Sequence, residues 1–229
     1  MLDFDILKAV QIQMCLSIPR LEFANYVWQP LAGKQAPGPN FFDPGLLDCD
    51  AQGHLHLMLD AERGRCSSLM IQQTFLFGCF EIDLIAEFSD WPATAVLGFF
   101  MYPAREQALD GSHEIDIEIS AWGLSHGPCL HYSIWPETPG PPQTQRFDCR
   151  LHGSHTRHRF VWTPDYFEFT SFHGHSDQVL LARHRWANTR QQNRPMHLYL
   201  NLWWFQGQYQ NAQNIQATIT RFAYRPWRM

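Results

Sequence analysis

The chain has 229 residues, of which 45% are hydrophobic, 14% aromatic and only 17% charged, against about 25% charged in an average soluble domain. That length fits one large all-β unit with a core needing no cross-links; no run approaches the ~20 apolar residues of a membrane span, and the composition excludes coiled coil, collagen and wholesale disorder. A formal charge of −5 offers no basic face for phosphate and argues against nucleic acid as a partner.

In chain order, segment 5–16 has a weak helical period that Pro19 ends. As an export leader it is poor: two glutamines interrupt the apolar run after Lys8, and no small-residue cleavage site follows. Either the protein stays inside or its true start lies upstream. Residues 1–20 are therefore set aside as an N-terminal extension, and 21–229 read as a single domain, expected to be a monomer. From there the pattern changes to period two. Leu55, Leu57 and Leu59 alternate with His54, His56 and Met58; Phe80, Ile82 and Leu84 with Glu81, Asp83 and Ile85; Leu130, Tyr132 and Ile134 with His131, Ser133 and Trp135; Leu198, Leu200 and Leu202 with His197, Tyr199, Asn201 and Trp203. Further strands are predicted at 67–77, 95–102, 113–120, 158–163, 166–172, 178–182 and 214–224. Such alternation puts one face on a core and the other toward solvent or ligand. Turn clusters at 36–40, 43–45, 52–53 and 139–142 separate the runs. Many short strands and almost no helix predict a two-sheet β-sandwich or barrel.

Six cysteines form no CxxC pair, which excludes zinc-ribbon and thioredoxin-type sites. Cys49 and Cys66 could pair, and free buried thiols are an equal reading. Phe100, Tyr102, Trp135, Tyr199 and Trp203 fall on non-core faces, where an ordinary sandwich would carry Lys, Glu and Thr. Flat rings mixed with His, Asn and acids suit sugars, whose CH faces stack while hydroxyls take hydrogen bonds. His131, on the same face as Trp135, joins the candidate binding residues. A second buried face under loops is the plainer alternative.

The strongest signal is His113-Glu114-Ile115-Asp116-Ile117-Glu118-Ile119-Ser120. In a strand its three carboxylates share one face and its isoleucines the other. Like charges so placed repel, and burial raises their pKa values. Glycosidases need two carboxyl groups about 5–5.5 Å apart to retain configuration, or about 6.5–9.5 Å to invert it. Glu114 and Glu118 are about 13 Å apart at Cα, a gap that side chains leaning inward can largely close. Asp116 between them can share a proton and keep one Glu ionised and the other protonated. An acidic solvent face is one rival reading. A Ca²⁺ or Mg²⁺ site is another, although i, i+2 and i+4 on a straight strand spread too far to wrap one ion.

Glu114-Ile115-Asp116-Ile117-Glu118 resembles the E-I-D-I-E signature of glycoside hydrolase family 16, the lichenase, laminarinase and xyloglucan-transglycosylase group. Phe23–Trp28, Pro37–Asn40, Asp50–Leu57, Phe77–Glu81 and Val96–Phe100 are similar to its earlier strands, and Trp162–Asp165 and Leu200–Trp203 to its later ones. The resemblance runs in order over roughly 21–226. It implies a concanavalin-like jelly roll whose concave cleft binds a polysaccharide and hydrolyses it with retention. By position it makes Glu114 the nucleophile, Glu118 the acid/base and Asp116 the assisting residue. Glu81, Phe100, Tyr102, Asn201 and Trp203 match positions that line the family's cleft. Ser112-His113 stand where lichenase-like members often carry Trp, and Asp83 where an Arg can help bind sugar. No acidic residue near the C-terminal strand matches the family's structural calcium ligand, so neither metal nor cofactor is expected. A non-catalytic carbohydrate-binding sandwich remains the alternative function.

Two rival motifs fail on context. Gly123-Leu124-Ser125-His126-Gly127 matches G-x-S-x-G, but Pro128 and a further strand follow where an elbow needs a helix, so a hairpin turn is predicted. His152, His155 and His158 do not converge on one ion at that spacing and read as an exposed polar loop.

Overall fold

The computed structural model describes residues 20–103, 112–125, 129–148, 151, 153–189 and 193–228. Segment 5–16, Cys15, Cys149, His152 and the end of the 123–127 turn lie outside them. The strands in chain order begin with β1 (Leu21–Phe23), β2 (Tyr26–Pro30), β3 (Gly33–Lys34), β4 (Phe41–Phe42), β5 (Leu47–Cys49) and β6 (Leu55–Leu59). Then come β7 (Arg65–Phe75), β8 (Gly78–Ile85), β9 (Ala95–Tyr102), β10 (Ile115–Ser120), β11 (Cys129–Ile134) and β12 (Gln143–Phe147). The chain ends with β13 (His155–Trp162), β14 (Tyr166–His173), β15 (Val179–Ala187), β16 (Met196–Trp204) and β17 (Ile215–Pro226).

They form two sheets, antiparallel except where β4 runs parallel to β7. One runs β1-β2-β7-β16-β9-β10-β11-β12, with β3 and β4 attached at β7; the other runs β15-β14-β13-β8-β17-β6-β5. The expected two-sheet sandwich is the architecture observed. Its core is where the period-two pattern put it: Leu55, Leu57, Phe80, Leu84, Phe160 and Phe169 from one sheet meet Leu69, Phe99, Ile115, Ile117, Leu198 and Leu200 from the other. A polar bridge also joins the layers. The Tyr132 hydroxyl on β11 donates to Ser171 Oγ on β14 at 2.7 Å, and His158 Nδ1 lies 2.8 Å from the same oxygen. Burial lowers the His158 pKa to about 3, so the imidazole is neutral there.

Two expectations need correction, and one open choice is decided. The histidine segment is not an exposed loop: His155–Trp162 is β13, and His158 is 1% exposed, because Thr156, His158, Phe160 and Trp162 alternate into the core. The strand predicted at 178–182 runs on to Ala187. Cys49 and Cys66 are both free thiols; Cys66 Sγ donates to Asn40 Oδ1 at 3.4 Å, and burial pushes its pKa up to about 12, which makes it inert.

Candidate active site

Residues paired across antiparallel strands share a face, so the register assembles the site. Asp116 on β10 stands beside Phe100 on β9, and Phe100 beside Tyr199 on β16. One step along, Glu118 stands beside Gly98, Gly98 beside Asn201, and Asn201 beside Ser68 on β7. Glu114 immediately precedes β10, and its carbonyl accepts the Trp135 N–H at 2.8 Å. These residues open onto a cleft of about 790 Å³. Glu114, Asp116, Glu118, Phe100 and Tyr102 line it together with Trp135, Tyr199, Asn201 and Trp203.

What holds three acids side by side is the opposite face of the same strand. Ile115, Ile117 and Ile119 are at most 2% exposed, and burying each contributes roughly 1.5–3 kcal/mol. Turning β10 over would place all three in the cleft and the acids in the core. At both ends of the strand the backbone leaves the extended region: His113 has φ 61° and Trp122 φ 53°, a conformation that costs non-glycine residues on the order of 1–3 kcal/mol and clusters at functional sites.

The electrostatics follow from this placement. Asp116 is 3% exposed; its Oδ2 accepts from Trp135 Nε1 at 2.8 Å, while its Oδ1 has no donor among the described residues. Burial, then the charges of Glu114 and Glu118, raise its pKa well above the ordinary range. Burial raises Glu114 to about 7, opposed by a hydrogen bond from Asp116. Glu118 rises to about 8 through burial and the Glu114 charge. Three neighbouring carboxyls cannot all ionise here. Asp116 keeps a proton that it offers Glu114, so Glu114 is the more easily ionised glutamate and Glu118 holds its own proton.

Two candidates do not line the cleft. Glu81 is not in the cleft: it projects from the outer face of β8, in the other sheet, bonded to Arg159 and Arg221. Beside it Asp83 accepts two hydrogen bonds from Arg157, at 2.6 and 2.9 Å, and Asp177 ties Arg157 and Arg159 together. Burial alone would raise the Glu81 pKa, but the arginines outweigh it and hold it below the usual range. Removing one partner of such a cluster strands buried charge, so Glu81→Ala is expected to lower stability by about 3–5 kcal/mol. Denaturant melts check the loss, and KM for any cleaved glycan, measured where the variant is folded, should stay unchanged. His131 on β11 pairs in register with Glu118 and so shares its face, and the Trp122 indole Nε1 donates to His131 Nε2 at 2.9 Å.

Trp122, Tyr199, Ser68 and the rim Leu31, Lys34, Gln35, Ala36 and Pro37 complete the lining. Tyr199 carried a signal as a ring on a non-core face; Trp122 and most of the rim lie off strands, and Lys34 ends the two-residue β3, where periodicity is silent. Asn40 anchors the rim. It is 2% exposed, and its Nδ2 donates to Pro37 O at 2.7 Å and Trp204 O at 3.0 Å. Asn40→Ala leaves those carbonyls without their donor, at about 1–3 kcal/mol; steady-state kinetics should register it as a higher KM rather than a lower kcat.

No protein-family model matches the chain, and no curated protein matches it in sequence. Solved structures do. A Bacillus licheniformis β-glucanase is 18% identical with a TM-score of 0.68, over 92% of this chain and 98% of its own. A glycoside hydrolase family 16 endo-glucanase from Bacteroides ovatus is 13% identical, TM-score 0.68, over 90% and 99%. The laminarinase catalytic domain from Thermotoga maritima is 12% identical, TM-score 0.66, over 88% and 92%. The chain therefore has the jelly-roll β-sandwich fold of the family 16 glucanases.

Proposed function

We propose that this protein is a family 16 glycoside hydrolase that cleaves a β-linked polysaccharide with retention of configuration. The observation that carries the reading is the row Glu114, Asp116, Glu118, three carboxyls projecting from one buried strand into an aromatic-lined cleft. The glucanase names of the fold's neighbours point the same way. Sugar rings stack on Phe100, Tyr199 and the tryptophans. Glu118 protonates the departing glycosidic oxygen while the Glu114 carboxylate attacks the anomeric carbon; Glu118 then takes a proton from water as the covalent intermediate is hydrolysed. Asp116 keeps its proton and, by donating to Glu114, holds the nucleophile ionised and aimed. A purely sugar-binding sandwich is less favoured, since recognition alone gives no reason to crowd three acids whose pKa values burial raises.

The test is release of reducing ends from a panel of β-glucans, galactans and xyloglucan. Cleavage of at least one, with the β-anomer as first product by NMR, supports the reading. Binding without cleavage across the panel would leave the sugar-binding alternative in its place.

A further inference from the structure

Gly98 is an odd residue to find in the middle of β9. It pairs in regular register with Glu118 on one side and Asn201 on the other, so no bulge or turn requires it, and a strand-interior glycine is a weak choice unless something approaches closely. That something is Asn201. A Cβ built on Gly98 would overlap the Asn201 carboxamide oxygen and stand 3.3 Å from both its Cγ and Phe100 Cδ1. The amide thus leans from β16 across the bare backbone of β9, oxygen leading, toward the strand that carries Glu118. Asn201 is 4% exposed, lines the cleft, and its Oδ1 has no hydrogen-bond donor among the described residues. A buried acceptor left unpaired is costly, which points to a donor arriving from the cleft.

We propose that Gly98 and Asn201 select water as the acceptor in the second half of the reaction, making the site a hydrolase rather than a transglycosylase. This rests on the reading of Glu114 and Glu118 given above. In that half the acceptor oxygen bonds to the anomeric carbon, and the bond from that carbon to Glu114 breaks with its electron pair returning to the carboxylate. One acceptor proton passes to the Glu118 carboxylate. Water has a second O–H, which Asn201 Oδ1 accepts. An incoming sugar hydroxyl gives its only proton to Glu118 and leaves Oδ1 buried and unpaired. The difference favours water on the order of tenfold. Gly98 is the positioning residue: only without a Cβ there can the amide lie across β9.

The experiment uses the full chain, an oligosaccharide it cleaves and a fixed excess of acceptor sugar, and reads the ratio of transfer to hydrolysis products. Asn201→Ala is expected to raise that ratio about tenfold. Gly98→Ala should raise it similarly by pushing the amide aside, and should add nothing in the Asn201→Ala background. A ratio unmoved by Asn201→Ala overturns the proposal. So does a Gly98→Ala effect equal in both backgrounds, which would mean that the added Cβ acts through Phe100 or the substrate rather than through Asn201. Thermal melts identify a misfolded Gly98→Ala; Asn201→Ala introduces no crowding and decides the matter alone. Failure of the unaltered chain to cleave anything on the panel overturns the reading of the site instead.

Discussion

Glutamine at position 114 or 118 is expected to cut turnover on the best glycan by at least about 10³-fold while changing affinity for it only a few-fold. The amide keeps the shape and most hydrogen bonds of the side chain, so the aromatic cleft still binds; it can neither attack an anomeric carbon nor exchange a proton. The two positions separate on rescue. With Glu114→Ala, azide occupies the vacated space and attacks directly, so activity returns with inverted glycosyl azide as product. With Glu118→Ala and a substrate bearing a good leaving group, the intermediate still forms on Glu114, and azide intercepts it with retention. Opposite stereochemistry at the two positions would reverse the roles of the two glutamates. Full activity in both glutamine variants would remove this cleft from the reaction altogether.

The carboxylate row was legible because a strand has period two: acids and isoleucines alternate, and only one orientation buries the isoleucines. The aromatic face was legible for the same reason at Phe100, Tyr102, Trp135 and Trp203. Alternation does not say which sheet a strand joins, however. Glu81 on β8 and Glu118 on β10 both flank buried apolar neighbours, and each sheet of a sandwich has one non-core face. Their difference lies in partners remote in sequence: Arg159 and Arg221 for Glu81, Gly98 and His131 for Glu118. β3 holds two residues, too few to display a period, and the rest of the rim at 31–37 is irregular, so alternation carries no signal there. β12 reads Gln-Thr-Gln-Arg-Phe; at the edge of its sheet it needs no apolar face and left no hydrophobic pattern.

Raising the pH should loosen this molecule, because its cleft is built on acids that prefer to stay protonated. Folding lifts Glu114 from an ordinary value of 4.5 to about 7 and Glu118 to about 8, and Asp116 also moves up. Between the ordinary value and the folded one, the native state binds more protons than the unfolded chain, so stability falls as pH rises. The contribution is complete below about pH 4 and lost by about pH 8 to 9. At about 1.4 kcal/mol per proton and pH unit, and with neighbours titrating as a group, the loss is on the order of 5 kcal/mol, or roughly 10–20 °C in Tm for a domain this size. Burial lowers His113, His158 and His184, and these act in the opposite sense below about pH 6.5. Comparison with Glu118→Gln cancels them: the variant, neutral at every pH, should match the parent near pH 4 and exceed it by several degrees at pH 8.5. Parallel melting curves from pH 4 to 9 would mean that Glu118 ionises as easily in the fold as out of it. The same two values place the rising limb of kcat/KM near pH 7, where Glu114 must lose its proton, and the falling limb near pH 8, where Glu118 must keep its own. A broad plateau down to pH 5 would mean that Glu114 ionises near its ordinary range despite its burial.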